Sequence, residues 1–365
     1  MKHPIATLGL ASLLLACAPA EAPVTESAPA DQPAAFPDDC APQGELGFVC
    51  GPASPEDIVL VPGTAWLISS GMAPGSGLYV VDTAAKTATP MRAGGLEARP
   101  DTARFPSCPG PLDPSVAVLH GLALRPGDVE GVDTLYATNH GGRESVEVFA
   151  LDTRGAAPAV AWLGCVLMPD DLPANSVAVF GDGAMVTTVV TMPGRTMEEL
   201  FRGEPTGSVF LWTPGEAAFA RLPGTELAGN NGIETSADGR TFYVAASGGR
   251  EVVAFSRDDP SAPLWRAALD GFAPDNVRLV DGRLIAAGMI DDEPACGGPP
   301  TTPAGIQCPR GYAVAAVDPA TGEVTEIARG PAAAPYTGTA TAIPVGDELW
   351  LSSFNSDRLA WRVLP

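Results

Sequence analysis

The stretch GNNGIETSADGRTFYVAAS, residues 229–247, indicates the fold of the whole chain. It begins with Asn-Asn-Gly, passes through Asp238-Gly239 and ends in the apolar segment Thr241–Ala245. An Asp-Gly pair between two apolar segments is typical of a tight hairpin turn, because glycine adopts positive φ without a steric cost. Asn231 is therefore expected just before a short strand, at the end where a loop enters the sheet.

Similar units recur along the chain, each with a polar residue first and a hairpin after it. The first residues of the six units are Glu56, His120, Asn175, Asn231, Asp275 and Thr339. They are 64, 55, 56, 44 and 64 positions apart, and each interval is long enough for a four-stranded sheet with its loops. The repeat predicts an all-β fold, a six-bladed β-propeller with a central metal-binding tunnel. No helix is expected beyond a short one near Thr196–Phe201.

Composition agrees with a β-rich, acidic protein. The 365 residues include 41 glycines and 38 prolines, which interrupt helices, and 45% hydrophobic residues, which suffice for a large core. The formal net charge of −22 disfavours nucleic acid and anionic lipid as partners, because phosphate would be repelled. An acidic surface usually serves solubility; clustered carboxylates that bind a cation are the alternative.

The N-terminal residues have the pattern of an export signal. A short basic start precedes the apolar run Ile5–Leu15, which is too short to span a bilayer, and Cys17 follows. The pattern resembles the bacterial lipoprotein signal, in which the cysteine is lipidated. We expect a signal peptide over 1–16, a tether over 17–39 and the propeller over 40–365. An ordinary secretory signal is the alternative. The lipoprotein interpretation places the protein at the outer membrane or periplasmic face, bound to membrane only through its lipid.

Six cysteines remain besides Cys17, and an even number in an exported protein favours disulfides. Closeness in sequence favours Cys40–Cys50 and Cys296–Cys308, which leaves Cys108–Cys165. None of the six has the C-x-x-C spacing of a zinc site.

Residues at the heads of the units offer hard oxygen atoms as ligands. They are Glu56, Asp57, Asn175, Asn231, Asp275 and Asn276. Calcium binds about six to eight oxygens from carboxylates, amides and water. One asparagine before a strand is usually a turn residue, but the recurrence of this chemistry in successive units favours a shared cation. Two carboxylates buried at an axis without a cation would be costly.

Two histidines lie in the second unit, where His120 comes first and His140 follows an apolar strand. A single histidine near a strand is more often structural. A pair beside a metal site can act as a general base and its orienting partner. The sequence contains neither a Gly-x-Ser-x-Gly nucleophile elbow nor a phosphate-binding loop.

Six segments resemble the serum paraoxonase/arylesterase family, within the wider group of gluconolactonases and strictosidine synthase. They are SPEDIVLVPGTAWLISSG (54–71), HGLAL (120–124), TNHGGRESVEVF (138–149), LPANSVAVFGDG (172–183), GNNGIETSADGRTFYVA (229–245) and APDNVRLVDG (273–282). They occur in the family's order. The resemblance implies a six-bladed propeller with two calcium ions in its tunnel.

The resemblance also implies roles for single residues. The ligands that it implies for a catalytic calcium ion are Glu56, Asn175, Asn231, Asp275 and Asn276. Those for a structural calcium ion are Asp57, the carbonyl of Leu122 and the position of Ser176, where the family has aspartate, a stronger and charged donor. His120 matches the family's base and His140 its partner. The cysteine pair that joins the family's chain ends is not reproduced, because residues 359–365 contain no cysteine, so strand pairing has to close the ring.

Together with the candidate ligands and histidines, the family resemblance implies a calcium-dependent hydrolase of lactones or aryl esters, and we expect a monomer whose partner is a small-molecule substrate. Specificity is expected to lie in loops such as Met192–Pro205 and Glu293–Arg310. Two alternatives remain open. One is a non-catalytic propeller that keeps calcium for rigidity and binds a partner at the cell surface. The other keeps the metal but changes the chemistry, as strictosidine synthase-like relatives do.

Overall fold

A computed structural model of the protein describes Met1 and residues 40–91, 97–334 and 336–364. Apart from Met1, the predicted signal peptide over 1–16, the lipidation site Cys17 and the tether over 17–39 lie outside the described residues and stay predictions. Within the described ranges, no helix has both the length and the apolar character needed to cross a membrane.

The stretch quoted first forms the expected hairpin. Asn230–Thr235 and Thr241–Ala246 are paired antiparallel strands. The turn between them is closed by a hydrogen bond of 3.0 Å, donated by the backbone N–H of Gly239 to the carbonyl of Ser236. Gly239 has a φ of +71°, so the predicted role of the Asp-Gly pair is confirmed.

Six sheets surround the tunnel, and each runs from an inner to an outer strand. Strand β1 is Gly47–Cys50 and belongs to the last sheet. The first blade contains β2 (Ile58–Leu60), β3 (Trp66–Ser70), β4 (Leu78–Asp82) and β5 (Thr87–Met91). The second contains β6 (Glu97–Ala98), β7 (Leu119–Val129), β8 (Val132–Asn139), β9 (Ser145–Asp152) and β10 (Ala159–Leu167). The third contains β11 (Val177–Val179), β12 (Met185–Val189), β13 (Ser208–Trp212) and β14 (Ala220–Leu222).

The second half of the ring repeats the arrangement. The fourth blade contains β15 (Asn230–Thr235), β16 (Thr241–Ala246), β17 (Glu251–Ser256) and β18 (Pro263–Ala268). The fifth contains β19 (Phe272–Val280), β20 (Arg283–Ile290), β21 (Tyr312–Val317) and β22 (Val324–Gly330). The sixth contains β23 (Thr339–Val345), β24 (Glu348–Ser353), β25 (Arg358–Val363) and β1. Inner strands of successive blades contact one another around a closed ring, which confirms the six-bladed propeller.

The first strand closes the ring. Strand β1 pairs antiparallel with β25, with Gly47 opposite Trp361 and Cys50 opposite Arg358. The sixth sheet therefore combines strands from both ends of the described chain. The Cys40–Cys50 disulfide lies at the end of β1. The expectation that strand pairing closes the propeller is confirmed.

The core consists of apolar layers between neighbouring blades. Between the third and fourth blades, Phe242 and Phe255 stack with ring centroids 5.4 Å apart. Between the sixth and first blades, Trp350 is fully buried against Leu67 and Val81. Successive side chains of a strand face opposite sides of its sheet. Because middle strands are covered on both sides, they are continuous apolar runs in the sequence rather than alternating ones.

The predicted short helix is α1 (Met197–Phe201), which lies between β12 and β13. It begins with a capping box: Thr196 Oγ1 accepts from the backbone N–H of Glu199, and Glu199 Oε2 accepts from that of Thr196. Three short 3-10 segments occur among the described residues, at Pro169–Asp171, Pro294–Cys296 and Pro303–Gln307.

All six cysteines form the expected bonds, Cys40–Cys50, Cys108–Cys165 and Cys296–Cys308. The Cys108–Cys165 bond joins the segment between β6 and β7 to strand β10 within the second blade, across 57 positions of sequence. The Cys296–Cys308 bond spans only 12 positions, within a loop of the fifth blade.

Replacing Cys108 and Cys165 together by alanine is expected to lower the free energy of unfolding by about 2–5 kcal/mol, because the bond restricts a long loop of the unfolded chain. Urea unfolding of both proteins would measure the loss. The matched control replaces Cys296 and Cys308 by alanine and should lose less, since its loop is shorter. An equal or larger loss in the control would contradict the explanation.

Candidate metal centre

The starts of the inner strands bring the predicted ligands to one end of the tunnel. A Cβ atom at Gly232 would lie 2.5 Å from the Cα of Asn276, so only glycine lets the fourth and fifth blades approach this closely. The Asn-Asn-Gly sequence therefore places Asn231 beside Asn276. The amide of Asn276 in turn donates to Glu56 Oε1 at 2.7 Å, which links the fifth blade to the first.

Hydrogen bonds between blades fix the asparagines through their backbone and amide nitrogen. Thr188 Oγ1 donates to the carbonyl of Asn231, and Thr138 Oγ1 donates to that of Asn175 at 2.9 Å. The Nδ2 group of Asn231 donates to Ser247 Oγ at 3.0 Å. The side-chain oxygens of these asparagines are left for another partner.

Four oxygen atoms here are buried without a hydrogen bond. They are Glu56 Oε2, Asn175 Oδ1, Asn231 Oδ1 and Asn276 Oδ1. A buried acceptor without a donor costs about 1–3 kcal/mol. All four atoms belong to residues predicted to hold the catalytic calcium ion, and carboxylate and amide oxygens are the ligands that calcium takes. The residues present therefore fit such an ion.

Asp275, the fifth predicted ligand, is a carboxyl group whose negative form the protein does not stabilise. Burial and the nearby Glu56 carboxylate raise the pKa of Asp275 to about 8, although His120 opposes this. A divalent cation would remove the cause of the shift. In the part of the chain that the structure describes, no group of three or more His, Cys, Asp or Glu could hold a metal ion, so the centre depends on its asparagines.

The residues predicted for a second calcium ion do not fit one. Arg278, on β19, donates from its guanidinium to Asp57 Oδ2 and, at 2.9 Å, to the carbonyl of Leu122. Ser176 Oγ accepts a long hydrogen bond of 3.4 Å from the backbone N–H of Ile233. The protein thus places its own positive group against two of the three expected ligands.

The two histidines lie in contact, and a third residue extends the pair. His120 Nδ1 is 2.9 Å from His140 Nε2, and His140 Nδ1 is 2.8 Å from Glu144 Oε2. On the other side, His120 Nε2 is 3.5 Å from Glu56 Oε2. The predicted association of His120 with His140 and with the centre is present in the structure. Glu144 was missed by the sequence reasoning.

A tight turn after β8 returns Glu144 to His140. A Cβ atom at Gly141 would lie 1.6 Å from the carbonyl oxygen of Val116, and Gly142 has a φ of +75°. Both positions therefore require glycine. The His-Gly-Gly-x-Glu pattern was the available signal, because two glycines after a histidine indicate a reversal that can bring a nearby carboxylate back to the ring.

The charges around His120 favour its protonated form. Burial by itself lowers the pKa of His120, but the negative charges of Glu56, Asp275 and Asp57 outweigh burial and raise it above the ordinary value. To act as a base His120 has to lose this proton, and a calcium ion that offsets the charge of the carboxylates would favour the loss.

An apolar pocket opens beside the centre, with Asn231 and Asp275 among its lining residues. Helix α1 contributes Met197, Leu200 and Phe201, and the loop Glu293–Arg310 contributes Pro300 and Ile306. Both loops that were expected to determine specificity therefore line one pocket at the candidate centre.

Comparisons with known proteins agree with the fold. Residues 120–288 match a family model described as the SMP-30/Gluconolactonase/LRE-like region. A solved luciferin-regenerating enzyme is 14% identical and aligns with a TM-score of 0.52 over 87% of this chain and 96% of its own. A candidate gluconolactonase is 15% identical, with a TM-score of 0.51 over 89% of this chain and 94% of its own. A search of the curated proteins returned no match.

These comparisons do not single out the paraoxonase/arylesterase family, so that resemblance stays a prediction from the sequence. The matched residues begin at His120 and end in β20, and they include the second blade without β6 and all of the third and fourth blades. The chain is a six-bladed β-propeller, and its residues 120–288 are similar to the SMP-30/Gluconolactonase/LRE-like region.

Proposed function

We propose that the protein is a calcium-dependent hydrolase of lactones or aryl esters, similar in chemistry to the paraoxonase/arylesterase family. The observation that carries this proposal is the set of four buried oxygen atoms without hydrogen bonds, next to the base candidate His120. The gluconolactonase-like region over residues 120–288 supports a lactonase-like reaction.

A calcium ion bound by these oxygens would polarise the substrate carbonyl and stabilise the negative charge that develops on its oxygen. His120 Nε2 accepts a proton from water while the water oxygen bonds to the carbonyl carbon. The bond to the ring or aryl oxygen then breaks, and that oxygen takes the proton. Water is thereby divided between the new carboxyl group and the new hydroxyl group.

The chain of hydrogen bonds gives His120 the tautomer that a base needs. Glu144 can only accept when it is ionised, so His140 carries its proton on Nδ1. The neutral Nε2 of His140 then accepts the Nδ1 proton of His120. The lone pair of His120 Nε2 is left free to accept a proton.

The pocket favours a substrate with an apolar arm. Its wall next to the centre consists of side chains such as Met197, Leu200 and Phe201, which offer no partner for hydroxyl groups. The pocket also contains polar side chains, among them Ser247, Arg250 and Asp291, but they are fewer than the apolar ones. A polyhydroxylated sugar lactone would lose hydrogen bonds to water along the apolar wall. Lactones and aryl esters with alkyl or aromatic substituents are therefore the better candidates.

A substrate panel tests the proposal. The purified chain is assayed with alkyl-substituted lactones, a sugar lactone and aryl esters, before and after a calcium chelator and again after calcium is restored. We expect turnover that chelation abolishes and calcium restores, with the alkyl lactones or aryl esters ahead of the sugar lactone. Calcium-dependent thermal stability without turnover of any member would instead support the non-catalytic alternative.

Glu144→Gln is expected to lower kcat/KM about 10–100-fold and to move the acid limb of its pH profile to lower pH. The carboxylate stabilises positive charge on the histidine pair, so its loss makes the pair a weaker base. The matched control is Glu130→Gln, at an exposed position of the same blade, which should change neither quantity. A lower kcat/KM with an unmoved acid limb would show that Glu144 acts only structurally.

We also propose that the protein is exported as a lipoprotein. The three disulfides support this, because such bonds persist in oxidising compartments. Mass spectrometry of the membrane-extracted protein would test it: a mature chain that begins at a lipidated Cys17 is expected, and an unmodified cytoplasmic chain would contradict the proposal.

A further inference from the structure

Arg278 lies deep in the tunnel, close to the candidate metal centre but outside its ligand set. It is only 5% exposed. Its Nη2 group donates to Asp57 Oδ2 and to the carbonyl of Leu122, and Nη1 lies 3.4 Å from the carbonyl of Val277. An arginine is always charged, and a buried charge persists only where it is paired.

Asp57 has no acceptor position left for a metal ion. Its Oδ1 accepts from the backbone N–H of Ile58 at 2.8 Å and from Thr341 Oγ1 at 2.7 Å. Its Oδ2 accepts from the backbone N–H of Leu122 at 2.6 Å and from Arg278. A carboxylate offers about four lone-pair positions, and all are filled. The carboxylate oxygens of the candidate centre differ, because Glu56 Oε2 has no hydrogen bond.

The charges also balance locally. The Arg278 guanidinium forms an ion pair with Asp57 Oδ2, and both side chains are buried. The same guanidinium opposes the effect of burial on Glu234, whose pKa is raised. A divalent cation added beside Arg278 would lie next to a like charge that cannot be neutralised.

We propose that the Arg278 guanidinium is a built-in cation that takes the place of a second calcium ion, so that the tunnel binds one calcium ion and Asp57 is held without metal. The serine at position 176, where the resemblance implies a carboxylate ligand, agrees with this arrangement, because the additional carboxylate would no longer be required. The inference concerns metal stoichiometry and stability, and it does not depend on the proposed hydrolysis.

The test counts calcium on the full-length protein. The protein is equilibrated with calcium, free ion is removed, and elemental analysis is expected to give one equivalent of calcium per chain. Calorimetric titration of the metal-free protein with calcium is expected to show a single binding site. Two equivalents in the natural sequence would overturn the proposal. The double variant Arg278→Ser with Ser176→Asp recreates a carboxylate pair without the guanidinium and is expected to bind two.

Thermal unfolding gives a second, independent readout. Arg278→Met keeps the length of the side chain but leaves Asp57 buried and unpaired, so its midpoint is expected to fall by roughly 5–15 °C, with or without calcium. An unchanged midpoint would overturn the proposal, even if the double variant fails to fold. Zero equivalents of calcium in the natural sequence would contradict the proposed catalytic ion, and the Arg278→Met midpoint would still decide the role of Arg278.

Discussion

Glu56→Gln is expected to weaken calcium binding about 100-fold or more and to reduce hydrolysis by at least the same factor at low calcium concentration. Glu56 is 1% exposed, and its Oε2 atom is one of the four buried oxygens without a hydrogen bond. Glutamine has the same shape and can still accept the hydrogen bond from Asn276 at Oε1. The substitution therefore removes the charge of a ligand and keeps the packing of the tunnel.

Calorimetric titration with calcium measures the change in calcium affinity. The change in hydrolysis is measured as kcat/KM at a series of calcium concentrations. Raising the calcium concentration should recover part of the activity, because the remaining oxygens are still in place. Glu323→Gln, an exposed change on the fifth blade, is the matched control and should behave as the natural sequence. Undiminished calcium affinity in Glu56→Gln would show that the buried oxygens serve another purpose.

The fold was predictable because each blade repeats the same physical requirement. An inner strand has to begin at the tunnel and be followed by a sharp turn. The chain then continues into a middle strand whose two faces are both covered by neighbouring blades. The Asp-Gly turn before Thr241 and strand β16, which is buried from Phe242 to Ala246, satisfy it within one short stretch. The heads of all six predicted units lie beside or within the innermost strands of the six sheets.

The strand that closes the ring, β1, was harder to predict from the sequence. Gly47–Cys50 has only four residues, and its partner β25 lies at the far end of the sequence. Such a short segment has no period of its own to distinguish it from a loop. The pairing depends on the ring geometry, which brings the chain ends together only after all blades have formed.

Arg278 and Glu144 were missed for a different reason. Arg278 follows Asn276 and Val277 on β19. From the sequence alone it cannot be distinguished from an ordinary charged residue of a strand. Only the neighbouring blades show that it is surrounded by Asp57 and the carbonyl of Leu122. Glu144 depends on the backbone reversal at Gly142, so its partner could not be assigned from spacing alone.

At the candidate centre, the family resemblance predicted the calcium ligands but not the role of Arg278. It identified five ligand positions, four of which have a buried oxygen without a hydrogen bond. It also predicted that Asp57 and Leu122 lie close together. The structure confirms this, because the backbone N–H of Leu122 donates to Asp57 Oδ2 at 2.6 Å. It did not predict that the Arg278 guanidinium binds both residues, because Arg278 belongs to another blade.

His120→Gln is expected to lower kcat/KM about 100- to 10,000-fold while leaving calcium affinity almost unchanged. The imidazole accepts the proton of the attacking water in the proposed reaction, but it is not one of the predicted calcium ligands. Glutamine can retain a hydrogen bond toward His140 and cannot accept a proton near neutral pH. This variant therefore separates proton transfer from metal binding, which Glu56→Gln cannot do.

The pH profile makes the His120 prediction specific. Nearby carboxylates raise the pKa of His120 in the metal-free protein, and a bound calcium ion would offset part of their charge. Activity of the calcium-loaded natural sequence should still fall as pH decreases through the pKa of His120, where the base becomes protonated. The residual activity of His120→Gln should lack this acid limb, since no group remains that must lose its proton. His140→Gln should keep the limb but move it, because it removes the link from His120 to the Glu144 carboxylate. If His120→Gln instead retained the acid limb at its original pH, the proton would be accepted elsewhere, and His120 would be only a structural neighbour of Glu56.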